Sequence, residues 1–321
     1  MGKANPLHLE IEGRRVPVSN LEKILYPSGF TKGQVIDYYI RVSDYLLPHV
    51  RGRPVTLKRY PNGIAAPHFY EKDAPRFTPA WVQTFAVPRR SGKSDIRYVL
   101  INDLASLVWS ANTANLEIHP FLSCVPEIQR PTSVVFDLDP GEGVDVLGCG
   151  EVAFLLKEKL QPLRLDAYAK VSGSKGMQVY VPLNTNTTYS LTQPFARAVA
   201  ESLQAAHPDR VISAMAKALR PGKVFIDWSQ NADFKTTVCV YSLRAKRDSP
   251  YVSLPIPWDE LRKALKRGKP AALNFEPDAA IKRLAKTGDL FQPVLRQKQN
   301  LPAPADLSAP KRAAAGQSFG P

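Results

Sequence analysis

TSVVFDLDPGEG, residues 132–143, is the stretch on which the fold turns. Its β-branched and aromatic start reads as a strand, and Pro140 with Gly141 ends that strand in a turn. Asp137 and Asp139 are two apart on it, so both carboxylates face the same way. Two carboxylates on one face repel each other unless they are solvated or a cation lies between them. A divalent magnesium or manganese ion suits such oxygen ligands. A pair of solvated acids at a strand end is the plainer alternative.

Asp227 closes a second apolar run, KVFID (223–227), in the same manner. Three acids on adjacent strand ends would bridge two cations. One cation would activate an attacking hydroxyl and the other would neutralise a triphosphate. Asp139 and Asp227 are 88 residues apart in sequence, which leaves their contact open. Between two expected strands, VSGSKGMQVYVPL (171–183) offers Ser172, Ser174 and Lys175. Backbone amides beside a lysine suit a phosphate, although GxxxxGK[ST] is absent and a simple hairpin turn remains an alternative. Gln230, Lys235, Arg244 and Lys246 follow in SQNADFKTTVCVYSLRAK (229–246), where an arginine would fork onto phosphate oxygens. Lys58 and Arg59 precede Phe69 and Tyr70, cations beside aromatics that make a base-stacking platform or else part of the core. His119, in LEIHP, is a structural residue or a donor to a phosphate oxygen.

Around these motifs the pattern alternates strands and helices, which argues an α/β or α+β fold. Thr31 caps a helix expected over 31–47, with Val35, Tyr38, Tyr39, Val42 and Leu46 on one face and Pro48 as its stop. Further helices are expected at 102–116, 144–160, 192–206, 259–267 and 277–286, and strands at 165–171, 177–183, 223–228 and 235–241. From 292 onward the chain turns polar with scattered prolines, and residues 292–321 are expected to form a disordered tail. The 321 residues carry a formal charge of +14, spread along the chain, which favours a polyanionic partner. No run approaches the roughly 20 apolar residues of a membrane span, and MGKANPLHLE has no signal-peptide core. Cys124, Cys149 and Cys239 are scattered, which excludes a disulfide framework or zinc pattern and fits buried thiols in a reducing cytosol.

The chain resembles the polymerase domain of bacterial ligase D, within the archaeo-eukaryotic primase superfamily. The resemblance rests on SNLEKILYP (19–27), LLPHVRGRPVTLKRYPNG (46–63), VVFDLDPGEG (134–143), SGSKG (172–176), LRPGKVFIDWSQN (219–231) and KTTVCVYSLRA (235–245). It implies an α+β primase-polymerase core with mixed and antiparallel sheets flanked by helices, plus an N-terminal α/β subdomain. Residues 1–130 would form the DNA-end and nucleotide-binding part, and residues 131–291 the catalytic core of the same domain. Asp137, Asp139 and Asp227 match metal-binding acids for two Mn(2+) or Mg(2+) ions. Lys58 and Phe69 match positions that hold and stack the incoming nucleotide, with Tyr70 as a second aromatic. His119, Ser172, Lys175, Gln230 and Arg244 match residues around the triphosphate and sugar, Ser172 being the candidate for the 2′ hydroxyl. Asn20, Lys23 and Lys32 resemble a pocket for a downstream 5′ phosphate, and RRSGKSD (89–95) a loop that contacts template or a second DNA end.

One position departs from that pattern. The family shows histidine in KGLH where this chain has Gln178, which hydrogen-bonds but carries no proton charge. The implied activity is template-directed transfer from an NTP, favouring ribonucleotides and manganese, to a primer 3′ hydroxyl in a short gap or at a DNA end. A primer-independent primase, a nuclease and a non-catalytic DNA-end-binding module are the rivals. The expected protein is a cytoplasmic monomer, nucleoid-associated on DNA, with no membrane contact. It would be a stand-alone relative that works with a separate DNA ligase and nuclease and an end-binding protein.

Overall fold

A computed structural model describes residues 7–89, 92 and 94–302. The chain opens with a hairpin of β1 (Leu7–Ile11) and β2 (Arg14–Val18), followed by helices α1 (Lys32–Arg41) and α2 (Ser43–Val50). The Thr31 side chain accepts from Gln34 N while the Gln34 side chain accepts from Thr31 N, a reciprocal cap that starts α1. The expected single helix over 31–47 is thus two. At Val42 the backbone leaves helical geometry, and the Ser43 hydroxyl donates to the Ile40 carbonyl across the break. Pro48 lies inside α2 and does not stop it.

An antiparallel sheet follows, built from β3 (Pro54–Arg59), β4 (Phe69–Glu71), β5 (Thr84–Val87) and β6 (Ile96–Leu100). After α3 (Leu104–Asn112), β7 (Asn115–Pro120) pairs with the other side of β3. The helix expected to reach 116 ends early because Ala114 turns the chain at φ +58.

The second sheet is built from β8 (Ser133–Pro140), β9 (Tyr168–Val171), β10 (Met177–Pro182), β11 (Val211–Ile212), β12 (Val224–Asp227) and, later, a strand at Leu254–Ile256. Helices α4 (Val146–Leu160) and α5 (Tyr189–Ala206) lie between these strands in sequence. The strand order is β11-β12-β8-β10-β9 and then Leu254–Ile256, antiparallel except for β11 with β12. A small pair, β13 (Leu243–Arg244) with β14 (Tyr251–Val252), precedes that last strand, β15, and the chain ends in α6 (Trp258–Arg267), α7 (Pro277–Thr287) and α8 (Pro293–Arg296). The expected strand at 235–241 is a different object. Thr236 makes an isolated bridge to Phe121, the Thr237 and Cys239 amides donate to Pro120 and Ile118 of β7, and Tyr241 turns at φ +65, so the run leans on the first sheet and among the described residues joins no ladder of the second.

The expected tail begins too early. Residues 293–296 form α8, and the buried Gln299 amide donates to Pro182 O and Asp166 O while accepting from Asp166 N. Residues 303–321 lie outside the described ones. One buried apolar cluster runs from Ile11 to Val294 through both sheets, so the two halves share a core. Each fully buried leucine or phenylalanine in it is worth about 1.5–3 kcal/mol.

Two glycines bring loops against β8. A Cβ on Gly176 would lie 2.0 Å from Leu138 O, and one on Gly141 1.8 Å from Arg220 O. Only glycine allows that approach, which seats the 172–176 turn and the Arg220 segment beside the strand that carries Asp137 and Asp139.

Candidate active site in a cleft between the two sheets

Strand register sets four polar residues in a row across the second sheet. Asp227 on β12 is the register partner of Asp137 on β8, Asp137 of Gln178 on β10, and Gln178 of Lys170 on β9. Asp139, two residues along, pairs with Phe225. Asp137 and Gln178 of this row line a cleft of about 450 Å³, whereas Asp227 and Lys170 do not. Of the residues singled out in the sequence, Asp137, Asp139, Tyr70, His119, Ser172, Ser174, Lys175, Gln178, Gln230, Arg244 and Lys246 line it.

Burial pushes the Asp137 carboxyl well above its ordinary range. The charges of Asp139 and Asp227 add to the rise, against a hydrogen bond from Gln178. Asp139 is raised by burial and by Asp227, and Arg220 and Arg244 oppose the shift. Mutual repulsion of this kind is what a cation relieves. The three acids present hard oxygen donors that fit magnesium or manganese. Both oxygens of Asp227 are engaged, Oδ1 by Ser229 N and Oγ at 2.9 and 2.6 Å, and Oδ2 by Gln230 Nε2 at 2.8 Å. Among the described residues no three His, Cys, Asp or Glu side chains close into a ready-made metal cluster.

The cationic side of the cleft is organised from beneath. Glu117 on β7 is fully buried, and its Oε1 accepts from Lys58 Nζ at 2.9 Å, Tyr60 OH at 3.1 Å and Ala245 N at 3.2 Å. Oε2 faces His119 Nε2 and Arg244 Nε, both at 3.0 Å. Arg244 also donates to Ser172 O at 2.7 Å. Burial pulls the Glu117 pKa up, yet Arg244, His119 and Lys58 together hold it well below the usual carboxylate range. Lys58 is only 1% exposed and committed to Glu117, so it lies under the cleft and not in its wall. Tyr70 is on the rim, edge-on to His119. Phe69 points to the other face of the sheet, where the Arg59 guanidinium lies between it and Phe77.

Asn20, Lys23 and Lys32 gather elsewhere, at the start of α1. Lys23 N bonds Asn20 O, Lys32 N bonds Lys23 O, and Asn20 sits at φ +53. Lys32 is buried with its Nζ 3.5 Å from Ser19 Oγ, and burial followed by the charge of Lys23 lowers its pKa to about 8. Of the RRSGKSD loop, Arg90, Ser91 and Lys93 lie outside the described residues, and Arg89 Nε bonds Ser94 O at the loop's base.

Glu117, Lys170 and Arg220 were not singled out in the sequence. Lys170 is fully buried without a carboxylate partner, its Nζ donating to Ser253 Oγ at 2.6 Å and Val238 O at 3.1 Å. A single charge inside an apolar strand, as in LEIH and YAKV, is the signal that marks Glu117 and Lys170.

The family described as "LigD, primase-polymerase domain" matches residues 31–291. The Multifunctional non-homologous end joining protein LigD of Mycolicibacterium smegmatis is 41% identical over 283 residues, 87% of this chain and 36% of that protein. The Bifunctional non-homologous end joining protein LigD of Bacillus subtilis is 33% identical over 312 residues, 96% of this chain and 48% of that one. The chain therefore spans less than half the length of either relative. The polymerase domain of Mycobacterium tuberculosis ligase D, solved in complex with DNA, superposes with a TM-score of 0.81 at 38% identity, covering 89% of this chain and 99% of that one.

Proposed function

This chain belongs to the LigD primase-polymerase domain family, and from that premise we propose that it transfers a nucleoside monophosphate from an NTP to a primer 3′ hydroxyl under template direction, releasing pyrophosphate. The observation that carries this reading is that Asp137 and Asp139 line a cleft walled by cations, with Asp227 the register partner of Asp137 on the neighbouring strand. Two magnesium or manganese ions on these acids would supply activation of the hydroxyl and neutralisation of the phosphates.

The chain's own residues do the rest. Lys175, Arg244 and His119 orient the triphosphate, Arg244 through a guanidinium already fixed by Ser172 O and Glu117. Gln230 holds Asp227 while facing the cleft. Tyr70 offers its ring to the base, and Ser172 is the candidate partner for a ribose 2′ hydroxyl, which would favour ribonucleotides. Asn20, Lys23 and Lys32 would grip the 5′ phosphate on the far side of a gap. The substrate that fits is a short gap or overhang whose product passes to a DNA ligase. In line with that, no helix among the described residues is long and apolar enough to cross a membrane.

The test is extension of a gapped, 5′-phosphorylated duplex with manganese and each NTP or dNTP, beside the double variant Asp137→Ala, Asp139→Ala. Template-matched addition lost in the variant supports the polymerase. Tight DNA binding with no addition by the intact protein sinks it in favour of an end-binding module, which Gln178 in place of histidine would favour.

A further inference from the structure

We propose that Glu117 is a positioning residue of the nucleotide cleft, a buried carboxylate that fixes Arg244 and His119 toward the triphosphate and ties the first sheet to the segment that carries Arg244. The proposal rests on the polymerase reading and assigns a role to a residue that does not itself reach the cleft.

Glu117 is fully buried, and its oxygens accept from an ammonium, a phenol, a main-chain amide and an imidazole while a guanidinium makes an ion pair with them. Three of these partners, Lys58, Tyr60 and His119, sit on or beside the first sheet, whereas Arg244 and the Ala245 amide come from the segment between β12 and β15 of the second. One carboxylate therefore sets the relative position of two walls of the same cleft. Charge points the same way. Lys58 and Arg244 are two cations packed around one anion, so the group keeps a net positive charge next to the cleft while staying dry. Without the anion, Lys58 at 1% exposure would be a buried, unbalanced charge. The Arg244 guanidinium is held by one hydrogen bond from Nη1 to Ser172 O and by an ion pair of Nε with Glu117 at 3.0 Å, which limit where it can reach a phosphate. His119 donates from Nε2 to Glu117, so its other ring nitrogen can donate to a phosphate oxygen only when the ring is protonated, a state that Glu117 favours. A fold that needed only packing here would be served by an apolar residue on β7. An acid that gathers three residues of the nucleotide side is a device for preorganisation.

The experiment is Glu117→Gln in the full chain. The amide keeps the shape but must turn its NH2 toward a donor. We expect the NTP KM in gap extension to rise about ten- to hundredfold, the scale of a lost charge-assisted bond. We expect kcat to stay within about threefold, and affinity for the 5′-phosphorylated duplex without NTP within about twofold. In the Glu117→Gln background, His119→Ala should cost much less than it does alone, because the histidine is no longer held. An unchanged KM, additive costs, or a parallel fall of KM fitness, kcat and DNA affinity would each overturn the proposal while the polymerase reading stood. If Glu117→Gln does not fold, Tyr60→Phe removes one donor only. It should raise the NTP KM about two- to fivefold, and no change overturns the proposal. If the unaltered chain incorporates no nucleotide at all, the polymerase reading falls first and this one with it.

Discussion

Asp227 and Asp137 are direct register partners across the antiparallel pairing of β12 with β8, although 90 residues separate them in the chain. Like charges placed opposite each other on a sheet destabilise it, and burial makes this pair worse. Asp137→Asn should therefore raise the melting temperature in metal-free buffer, by about 1–2 °C for each kcal/mol gained in a chain of this size. It should also lower extension by at least about a thousandfold, the scale of several kcal/mol of lost charge stabilisation. Calorimetry and gap extension on the same preparation check both halves. A variant that is less stable and still active would remove the acids from the chemistry.

Lys170 supplies a pH signature. Burial comes first among the causes that lower its pKa to about 7 from an ordinary 10.5; Arg244 lowers it further, while Cys239 and Asp137 oppose. Between those two values the unfolded chain holds a proton that the folded one has released, so stability rises with pH through this window. The slope is at most about 1.4 kcal/mol per pH unit. Lys170→Met should flatten it, and the variant should compare better with the parent at pH 7 than at pH 9. Urea unfolding at both pH values decides this, and parallel curves would show that Lys170 is not the source.

The sequence and the fold agree where one short pattern contains the whole reason. The acids of TSVVFDLD and KVFID end apolar strands, so their exposure on one face was legible; their pairing was not, because register between distant strands depends on the whole sheet. The 235–241 run alternates correctly for a strand, yet its amides serve β7 at only two residues. The helix expected over 102–116 overran because nothing in its periodicity announces a left-handed Ala114. Glu117 was hidden for a deeper reason. Its four donors and one ion-pair partner come from positions 58, 60, 119, 245 and 244, and no local pattern can gather them.

The lysines at the start of α1 should read a 5′ phosphate. Lys23→Ala with Lys32→Ala is expected to erase the preference for a phosphorylated over a hydroxyl-ended gap. The salt slope of binding should also fall by about two, one per lost phosphate contact. Lys32 adds a pH limb. With its pKa lowered to about 8, the free protein loses that charge as pH rises through 8, and phosphate-dependent affinity should drop there. Fluorescence anisotropy with paired duplexes measures each effect, and an unchanged phosphate preference in the double variant would place the contact elsewhere.

Gln178 allows a two-sided test, because it is 2% exposed and its Oε1 finds no hydrogen-bond partner. An unmet buried acceptor costs about 1–3 kcal/mol. A residue kept at that cost beside Asp137, on the cleft wall, points to a ligand that completes it. Gln178→Leu should therefore stabilise the free protein while weakening extension. Gln178→His introduces a group able to donate and to carry a proton, and it should raise kcat on the order of tenfold, less than the roughly hundredfold or more of a fully positioned acid or base. It should also add a limb to the pH–rate profile near 6–7 that the parent lacks. Steady-state extension from pH 5.5 to 9 with all three proteins settles the role of the position. If leucine, glutamine and histidine give the same kcat, the side chain at 178 faces the cleft without taking part in the transfer.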